Sequence, residues 1–177
     1  KDVPPVDLKS DHIRGDPKAQ IAVIEYSDFE CPFCSRHHST MVQLLKEYGD
    51  DVSWVYRHFP LSFHQNAQPA ALASECVAEI GGNDAFWQFA DLVFTKGFDF
   101  AAHVKEIGVS DTKFQACVES GKYKDIVQKQ MDGGSQAGVS GTPGNIVLNT
   151  KTGDARLVSG AQPLENFKKV IEEMLGT

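Results

Sequence analysis

The sequence predicts an α/β fold in which a strand–helix–strand unit and a strand–strand–helix unit are separated by a long helical segment. Residues 21–24 (Ile-Ala-Val-Ile) form a continuous apolar run, which is typical of a strand buried on both faces. Residues 62–137 lack the alternation of apolar and polar residues that is typical of strands, and they contain several helix start signals. Residues 138–177 return to short β-branched runs followed by an apolar stripe at helical spacing.

The first unit continues from this apolar run through a helix to a second strand. The helix should begin near Pro32 and end at Gly49, and the second strand is predicted at residues 52–56. Because a helix joins the two strands, they should be parallel with a right-handed crossover. Five side chains recur at spacings of four and three, the pattern of one helix face: Cys34, His38, Met41, Leu45 and Tyr48.

The middle segment is predicted to be helical, with glycines at its breaks. Residues 70–80 are rich in alanine, and Gly81-Gly82 should interrupt the helix that they form. Ser110 is placed to cap a further helix. The last helix of this segment is predicted over residues 122–131, ending at Gly133-Gly134.

The closing unit contains a hairpin and a final helix. Strands are predicted at residues 146–148 and 156–158, joined by a turn-rich loop. Pro163 should open the last helix. Its apolar stripe consists of Leu164, Phe167, Ile171 and Met174.

These elements divide the chain into four parts. Residues 1–11 are polar and without periodicity, and we interpret them as a tail or tether; an ordered arm without a role is the alternative. Residues 12–61 and 138–177 should form the two halves of one α/β domain, and residues 62–137 the helical insertion between them.

Composition excludes several classes of function. The 177 residues have a formal net charge of −7, and no basic stripe is present to neutralise phosphates, so we expect no nucleic-acid partner. No apolar run approaches the roughly 18 residues that a membrane-spanning helix needs. The chain begins at Lys1 without an initiator Met or a signal-like stretch, so we expect a processed product.

The tetrapeptide Cys31-Pro32-Phe33-Cys34 is the most informative motif. Proline is favoured at the first position of a helix, so Cys31 is the predicted N-cap. There the backbone N–H groups of Phe33 and Cys34 and the helix dipole favour a thiolate, the nucleophilic form of cysteine. Cys34 lies one turn further along the same face, a spacing that permits a disulfide. We therefore predict that an exposed Cys31 attacks and a buried Cys34 resolves the mixed disulfide.

Two other interpretations of the motif stay open. Cys31 and Cys34 together with His37 and His38 supply two sulfur and two nitrogen ligands, a plausible zinc set, although structural zinc sites usually draw their ligands from separate segments. The second interpretation is a purely structural disulfide between Cys31 and Cys34. A CxxC that follows a buried strand and opens a helix favours a redox site, and the two histidines should then pack against their neighbours instead of binding metal.

Acidic residues precede the pair. Glu30 should raise the pKa of Cys31 if it points toward the sulfur, but we expect it to face solvent. Glu25 ends the buried strand and could lie beneath the pair, where a desolvated carboxylate would take or return the Cys34 proton; an exposed glutamate is the alternative. His64 follows the second strand and could lie near the junction of the two domains, but a surface loop histidine is the interpretation that we favour.

Several segments resemble the DsbA-like thiol:disulfide oxidoreductases of the thioredoxin superfamily. They are residues 25–34 (EYSDFECPFC), 57–61 (RHFPL), 85–87 (AFW) and 138–143 (GVSGTP), and the resemblance extends over residues 11–177. It implies a thioredoxin fold, βαβ then ββα, with an all-helical domain inserted between them. That arrangement agrees with the element order given above.

The resemblance also implies roles for individual residues. The peptide bond between Thr142 and Pro143 would be cis and face the cysteine pair. The Pro143 ring would pack on the sulfurs and block metal capture, and the Thr142 backbone would pair with an extended substrate segment. Glu25 matches the buried acid of the family and is therefore a candidate proton relay.

The chain departs from the best-known strongly oxidising members in two places. Phe33 stands where they have a histidine and offers no cation, so we expect a less depressed Cys31 pKa and a less oxidising couple; a pKa below about 4 would contradict this. Gly144-Asn145 follows Pro143 where a bulkier residue is expected, which predicts a more open substrate groove. The dimerisation domain of the dimeric disulfide isomerases is absent, so we expect a monomer and disfavour an isomerase.

Cys76 and Cys117 fall in two different predicted helices of the insertion. Some family members have a second disulfide within this domain, and the resemblance therefore favours a structural bridge. Two buried free thiols are the alternative.

Together these points predict an extracytoplasmic enzyme, periplasmic or at another cell surface and open to tethering through a preceding segment. It would oxidise dithiols of unfolded or reduced secreted proteins, be reoxidised by a quinone-linked membrane partner, and need no cofactor or metal. The alternatives are a reductase or isomerase of the same fold, or a non-enzymatic copper-handling module.

Overall fold

A five-stranded sheet lies at the centre of the molecule, with strand order β1-β3-β2-β4-β5. The computed structural model describes residues 3–176. Strands β2 and β3 are parallel, and every other neighbouring pair is antiparallel. The strands are β1 His12–Gly15, β2 Ile21–Ser27, β3 Val52–His58, β4 Gly144–Asn149 and β5 Ala155–Ser159. The helices are α1 Pro32–Tyr48, α2 Ala67–Lys96, α3 Phe100–Ile107, α4 Asp111–Ser120, α5 Lys124–Gln136 and α6 Leu164–Leu175.

The predicted α/β order is confirmed, with four helices between the βαβ and ββα units. Every residue of β2 and β3 is buried, as the apolar run of β2 led us to expect. Gly82 interrupts α2 with φ 84° and ψ −171°, and the Ser110 hydroxyl caps α4 by accepting from the Lys113 backbone N–H. Strand β1 was not predicted, because its four residues show no alternation and its pairing partner lies 44 positions further along the chain, with His12 opposite Tyr56.

Helix α5 ends later than predicted. We expected Gly133-Gly134 to terminate it, but the helix continues through both glycines to Gln136. Gly134 instead permits close packing on the sheet: a Cβ atom there would lie 2.7 Å from Tyr26 Cδ1 and 3.1 Å from Phe59 Cδ2. The absence of a side chain therefore serves a helix–sheet contact and does not mark a helix end.

The sheet separates two hydrophobic clusters. The larger packs α1, α2 and α6 on one face, around fully buried Trp54, Phe86 and Phe167. The smaller packs α5 on the other face, around Tyr26 and Ile146.

The start of the chain is attached to this second face. Val3 and Val6 pack against the smaller cluster, so residues 3–11 form an ordered arm, the alternative that we gave to a free tail; residues 1 and 2 lie outside the described residues. Arg57 fixes the segment: its guanidinium donates to the Pro4 carbonyl at 2.9 Å and to the Asp11 carboxylate at 2.9 and 3.0 Å. Both partners of this ion pair are 5% exposed, so solvent screens it little.

Cys76 of α2 and Cys117 of α4 form a disulfide within the insertion. The two residues are 41 positions apart, so the bond closes a long loop in the unfolded chain. The chain-entropy model assigns such a loop about 4 kcal/mol of stabilisation.

We expect the double variant Cys76→Ala/Cys117→Ala to lower the free energy of unfolding by about 4 kcal/mol. Urea denaturation followed by far-UV circular dichroism measures this difference without reductant, in proteins that both have Cys31 and Cys34 replaced by alanine so that no free thiol exchanges with the bridge. In the double variant with Cys31 and Cys34 intact, the redox equilibrium of that pair should stay the same. A loss below about 1 kcal/mol would contradict a stabilising role for the bond.

Candidate active site

Cys31 and Cys34 lie at the start of α1, directly after β2. Cys31 is the N-cap residue, with extended backbone angles, and Pro32 occupies the first helical position. Both cysteines are free thiols. Cys34 is fully buried, and the expectation of an exposed Cys31 is wrong, since this residue is only 5% exposed.

The loop before β4 covers Cys31. The Cys31 sulfur lies 3.6 Å from the Thr142 carbonyl oxygen, within reach of a hydrogen bond from the thiol. The Thr142–Pro143 peptide bond is cis, and Pro143 is buried. Pro32 and Phe33 remain exposed beside the sulfur, Phe33 at 55%, with the Arg36 guanidinium 5.2 Å from the centre of the Phe33 ring.

The two thiols differ strongly in acidity. A hydrogen bond from Cys34 is the main cause that lowers the pKa of Cys31 to about 5. The Thr142 side chain and the backbone N–H groups of Cys34 and Phe33 lower it further, against the effect of burial. Burial raises the pKa of Cys34, and the Cys31 hydrogen bond and the charge of Glu25 raise it further. The arrangement thus favours a Cys31 thiolate that accepts a hydrogen bond from the Cys34 thiol.

Glu25 lies in β2 with its side chain buried, at 1% exposure for the residue. Its Oε1 accepts a hydrogen bond from Trp54 Nε1 at 3.0 Å. Its charge raises the pKa of Cys34 and contributes to the raised pKa of Tyr56, for which burial is the main cause. The charge of the buried Glu25 side chain therefore acts on Cys34 and disfavours a Cys34 thiolate.

Asp28 holds the segment before the cysteine pair. Its Oδ1 accepts from the backbone N–H groups of Glu30 at 2.7 Å and Cys31 at 3.2 Å. Its Oδ2 accepts from the Leu61 backbone N–H and from His64 Nδ1, both at 2.8 Å. His64 lies in the loop after β3 and is partly exposed, as expected of a loop histidine, but this hydrogen bond also joins it to the active-site segment. Nothing in the local sequence pairs His64 with a residue 36 positions earlier.

Glu30 does not face solvent as expected. It is half-buried, and its Oε1 accepts a hydrogen bond from the Asn66 backbone N–H at 2.7 Å, at the start of α2. The acid next to Cys31 therefore fixes the start of the helical insertion.

His37 and His38 are both buried in α1 and contact different partners. His37 Nε2 lies 2.9 Å from Asn145 Oδ1, and burial lowers the pKa of His37. His38 Nε2 lies 2.6 Å from Asp91 Oδ1. Within residues 3–176, no group of three or more histidine, cysteine, aspartate or glutamate side chains is arranged to hold a metal ion.

The groove beside Pro143 is not opened by Gly144. A Cβ atom at Gly144 would lie 2.5 Å from Val139 Cγ1, so the Val139 side chain fills the space. Gly144 therefore does not supply the open space that we expected, and the width of the substrate groove stays a prediction.

Comparison with known proteins reveals several relatives. The protein-family model described as Thioredoxin matches residues 7–173. DsbA2 of Pseudomonas aeruginosa is 25% identical and superposes with a TM-score of 0.83, covering 96% of this chain and 97% of that chain. BdbD of Bacillus subtilis in its oxidised form is 22% identical, with a TM-score of 0.81 and coverage of 97% and 96%.

A further relative is named as a membrane transporter. The Na(+)/H(+) antiporter NhaA of Herminiimonas arsenicoxydans is 34% identical over 145 residues, which are 79% of this chain and 22% of the antiporter. The chain thus spans about a fifth of the length of this relative. Within residues 3–176, none of the helices has the length and apolar character needed to cross a membrane.

Proposed function

Since this chain belongs to the DsbA-like thiol:disulfide oxidoreductases of the thioredoxin superfamily, we propose that its Cys31–Cys34 pair introduces disulfide bonds into substrate proteins. The observation that supports this direction most is the asymmetry of the pair. A thiol whose pKa is lowered to about 5 is a good leaving group, and a stable Cys31 thiolate favours the reduced pair, so the oxidised pair is a strong acceptor of electrons.

The reaction begins with the oxidised pair. A substrate thiolate attacks the Cys31 sulfur, the Cys31–Cys34 bond breaks, and Cys34 leaves with the electron pair and takes up a proton. Glu25 is the candidate relay for that proton. A second substrate thiolate then attacks the substrate sulfur of the mixed disulfide and releases the Cys31 thiolate. The substrate loses two electrons and gains a disulfide, and the enzyme pair gains the two electrons.

The covering loop supports a role in substrate binding. Thr142 lies against Cys31, and its backbone would pair with an extended substrate segment as an added strand, holding a substrate cysteine near the Cys31 sulfur. The buried Pro143 beside the pair would keep metal ions from the sulfurs. No bound cofactor is required, because the electrons are held by the cysteine pair itself.

The proposed setting is outside the cytoplasm. The Cys76–Cys117 disulfide supports this, since structural disulfides persist in oxidising compartments. Reduced or unfolded secreted proteins would be the substrates of a monomeric enzyme. Each turnover leaves the pair reduced, so an oxidant is needed, and we assign that role to a membrane partner that passes electrons to quinone.

The equilibrium of the Cys31–Cys34 couple with glutathione tests the direction of the reaction. We expect a reduction potential between about −120 and about −200 mV, oxidising but weaker than the strongest members because Phe33 supplies no cation. The protein should also restore activity to a reduced, unfolded disulfide-containing enzyme. A potential below about −230 mV would contradict the proposal and identify a reductase.

A further inference from the structure

One carboxylate joins His64 to the backbone of Cys31. Asp28 Oδ2 accepts from His64 Nδ1 at 2.8 Å, while Asp28 Oδ1 accepts from the Cys31 N–H at 3.2 Å. The Asp28 side chain is fully buried, and that of His64 is 19% exposed. The connection between the imidazole and the reacting cysteine is therefore short and largely shielded from solvent.

We propose that His64, acting through Asp28, is a positioning residue that stabilises the Cys31 thiolate and so sets the redox equilibrium of the cysteine pair. In this chain the motif residue Phe33 has no charge, and a histidine from the loop after β3 supplies the cation in its place. The inference rests on the proposed function only in that Cys31 is the reacting thiol.

The electrostatic argument starts from Asp28. An uncompensated carboxylate bonded to the Cys31 amide would oppose a negative charge on the neighbouring sulfur. A protonated imidazole on the same carboxylate makes the pair neutral and removes this opposition. The Asp28 hydrogen bond is the largest cause that raises the pKa of His64; burial opposes it, and the charges of Asp28, Cys31 and Glu30 add smaller contributions that raise the pKa.

The coupling between the two groups is reciprocal. If a Cys31 thiolate favours the protonated imidazole, the protonated imidazole favours the thiolate by the same free energy. The other groups acting on the pair are fixed: Cys34 and Thr142 act directly on Cys31, and Glu25 acts on Cys34. None of these three groups carries a positive charge. The Arg36 guanidinium lies over the Phe33 ring, and a protonated His64 is the cation that Asp28 links to the Cys31 N–H.

The variant His64→Asn separates charge from hydrogen bonding. The asparagine amide can still donate to Asp28 but never carries a charge. We expect the Cys31 pKa, followed by thiolate absorbance at 240 nm, to rise by about one unit, because a neighbouring charge commonly shifts a pKa by at least this much. At neutral pH the equilibrium constant for reduction of the Cys31–Cys34 disulfide should fall about tenfold, which lowers the reduction potential by about 30 mV.

Lys113→Gln is the matched control, since it removes one exposed positive charge from α4 in the helical insertion. It should leave both the Cys31 pKa and the redox equilibrium unchanged. A His64→Asn protein with the wild-type Cys31 pKa would overturn the proposal, even if that protein were less stable, because a purely structural role moves stability and not the titration.

A measurement on the wild-type protein avoids the risk that the variant fails to fold. NMR titration of the His64 ring should give a higher pKa when Cys31 and Cys34 are reduced than when they form a disulfide, because only the reduced protein has the Cys31 thiolate. Equal His64 pKa values in the two forms would overturn the proposal. The result does not depend on whether the enzyme oxidises or reduces its substrates, so failure of the proposed function would be recognised separately by the glutathione equilibrium.

Discussion

Cys31→Ala is expected to abolish dithiol oxidation, whereas Cys34→Ala should leave a protein that reacts with a substrate disulfide once and then stays in the mixed disulfide. The difference follows from the acidity of the two thiols. Cys31 has a pKa lowered to about 5, mainly by the Cys34 hydrogen bond, while burial and the charge of Glu25 keep Cys34 protonated. Only the thiolate attacks, so the remaining Cys34 of the first variant is unreactive at neutral pH.

Alkylation by iodoacetamide at pH 7 measures this asymmetry. Cys31 in the Cys34→Ala protein should react at least about a hundredfold faster than Cys34 in the Cys31→Ala protein. Loss of the Cys34 hydrogen bond will raise the Cys31 pKa in that variant, but the backbone N–H groups of residues 33 and 34 remain. Comparable alkylation rates, or dithiol oxidation that survives Cys31→Ala, would refute the assignment of Cys31 as the nucleophile.

Burial of Cys31 does not oppose its proposed role, because the segment that covers the sulfur is the one with which substrate would pair. The residue is 5% exposed because the Thr142–Pro143 loop lies over it, and the proposed substrate strand would pair with that loop. A segment that pairs with this loop as an added strand must be extended, so the proposed pairing would favour unfolded segments over folded surfaces.

The sequence predicted the features that depend on local patterns. The apolar run at residues 21–24, the spacing along α1, the Ser110 cap and the Cys-Pro-Phe-Cys motif each involve residues within a few positions of one another. Periodicity and capping preferences detect such relations directly. They were sufficient for the element order and for the location of the cysteine pair.

Contacts between distant segments were not predictable in this way. The partner of His64 lies 36 positions earlier, and Gly134 of α5 packs on Tyr26 of β2. A glycine in a helical pattern has the same local signature whether it ends the helix or lets another element approach. Only the assembled sheet and helices distinguish the two cases.

A second distant contact joins the helical insertion to the sheet. Glu75 of α2 accepts hydrogen bonds on one oxygen, Oε2, from His12 Nε2 at 2.6 Å and from His58 Nε2 at 2.8 Å. All three residues are buried, and the His12 ring also stacks on Phe86 of α2 with centroids 3.8 Å apart. One carboxylate therefore fixes α2 to both β1 and β3.

This arrangement makes the free energy of unfolding depend on pH in the acidic range. Burial alone would raise the pKa of Glu75, but the hydrogen bonds from His12 and His58 outweigh it and lower the pKa from 4.5 to about 2. Because the folded-state pKa lies below the unfolded value, the carboxylate stabilises the fold above pH 4.5, and this contribution is lost as the pH falls toward about 2. The difference corresponds to about 3 kcal/mol.

Glu75→Gln should therefore lower the free energy of unfolding by about 3 kcal/mol at pH 7, measured by urea denaturation. The difference from wild type should shrink as the pH is lowered from about 4.5 to about 2, where the native carboxyl also becomes neutral. Glu79→Gln, one turn further along α2, is the matched control: Glu79 is exposed and paired with Lys122, so its loss should change stability by no more than about 1 kcal/mol. A stability difference for Glu75→Gln that stays constant over this pH range would contradict this prediction. It would mean that packing, and not the negative charge of Glu75, fixes the insertion to the sheet.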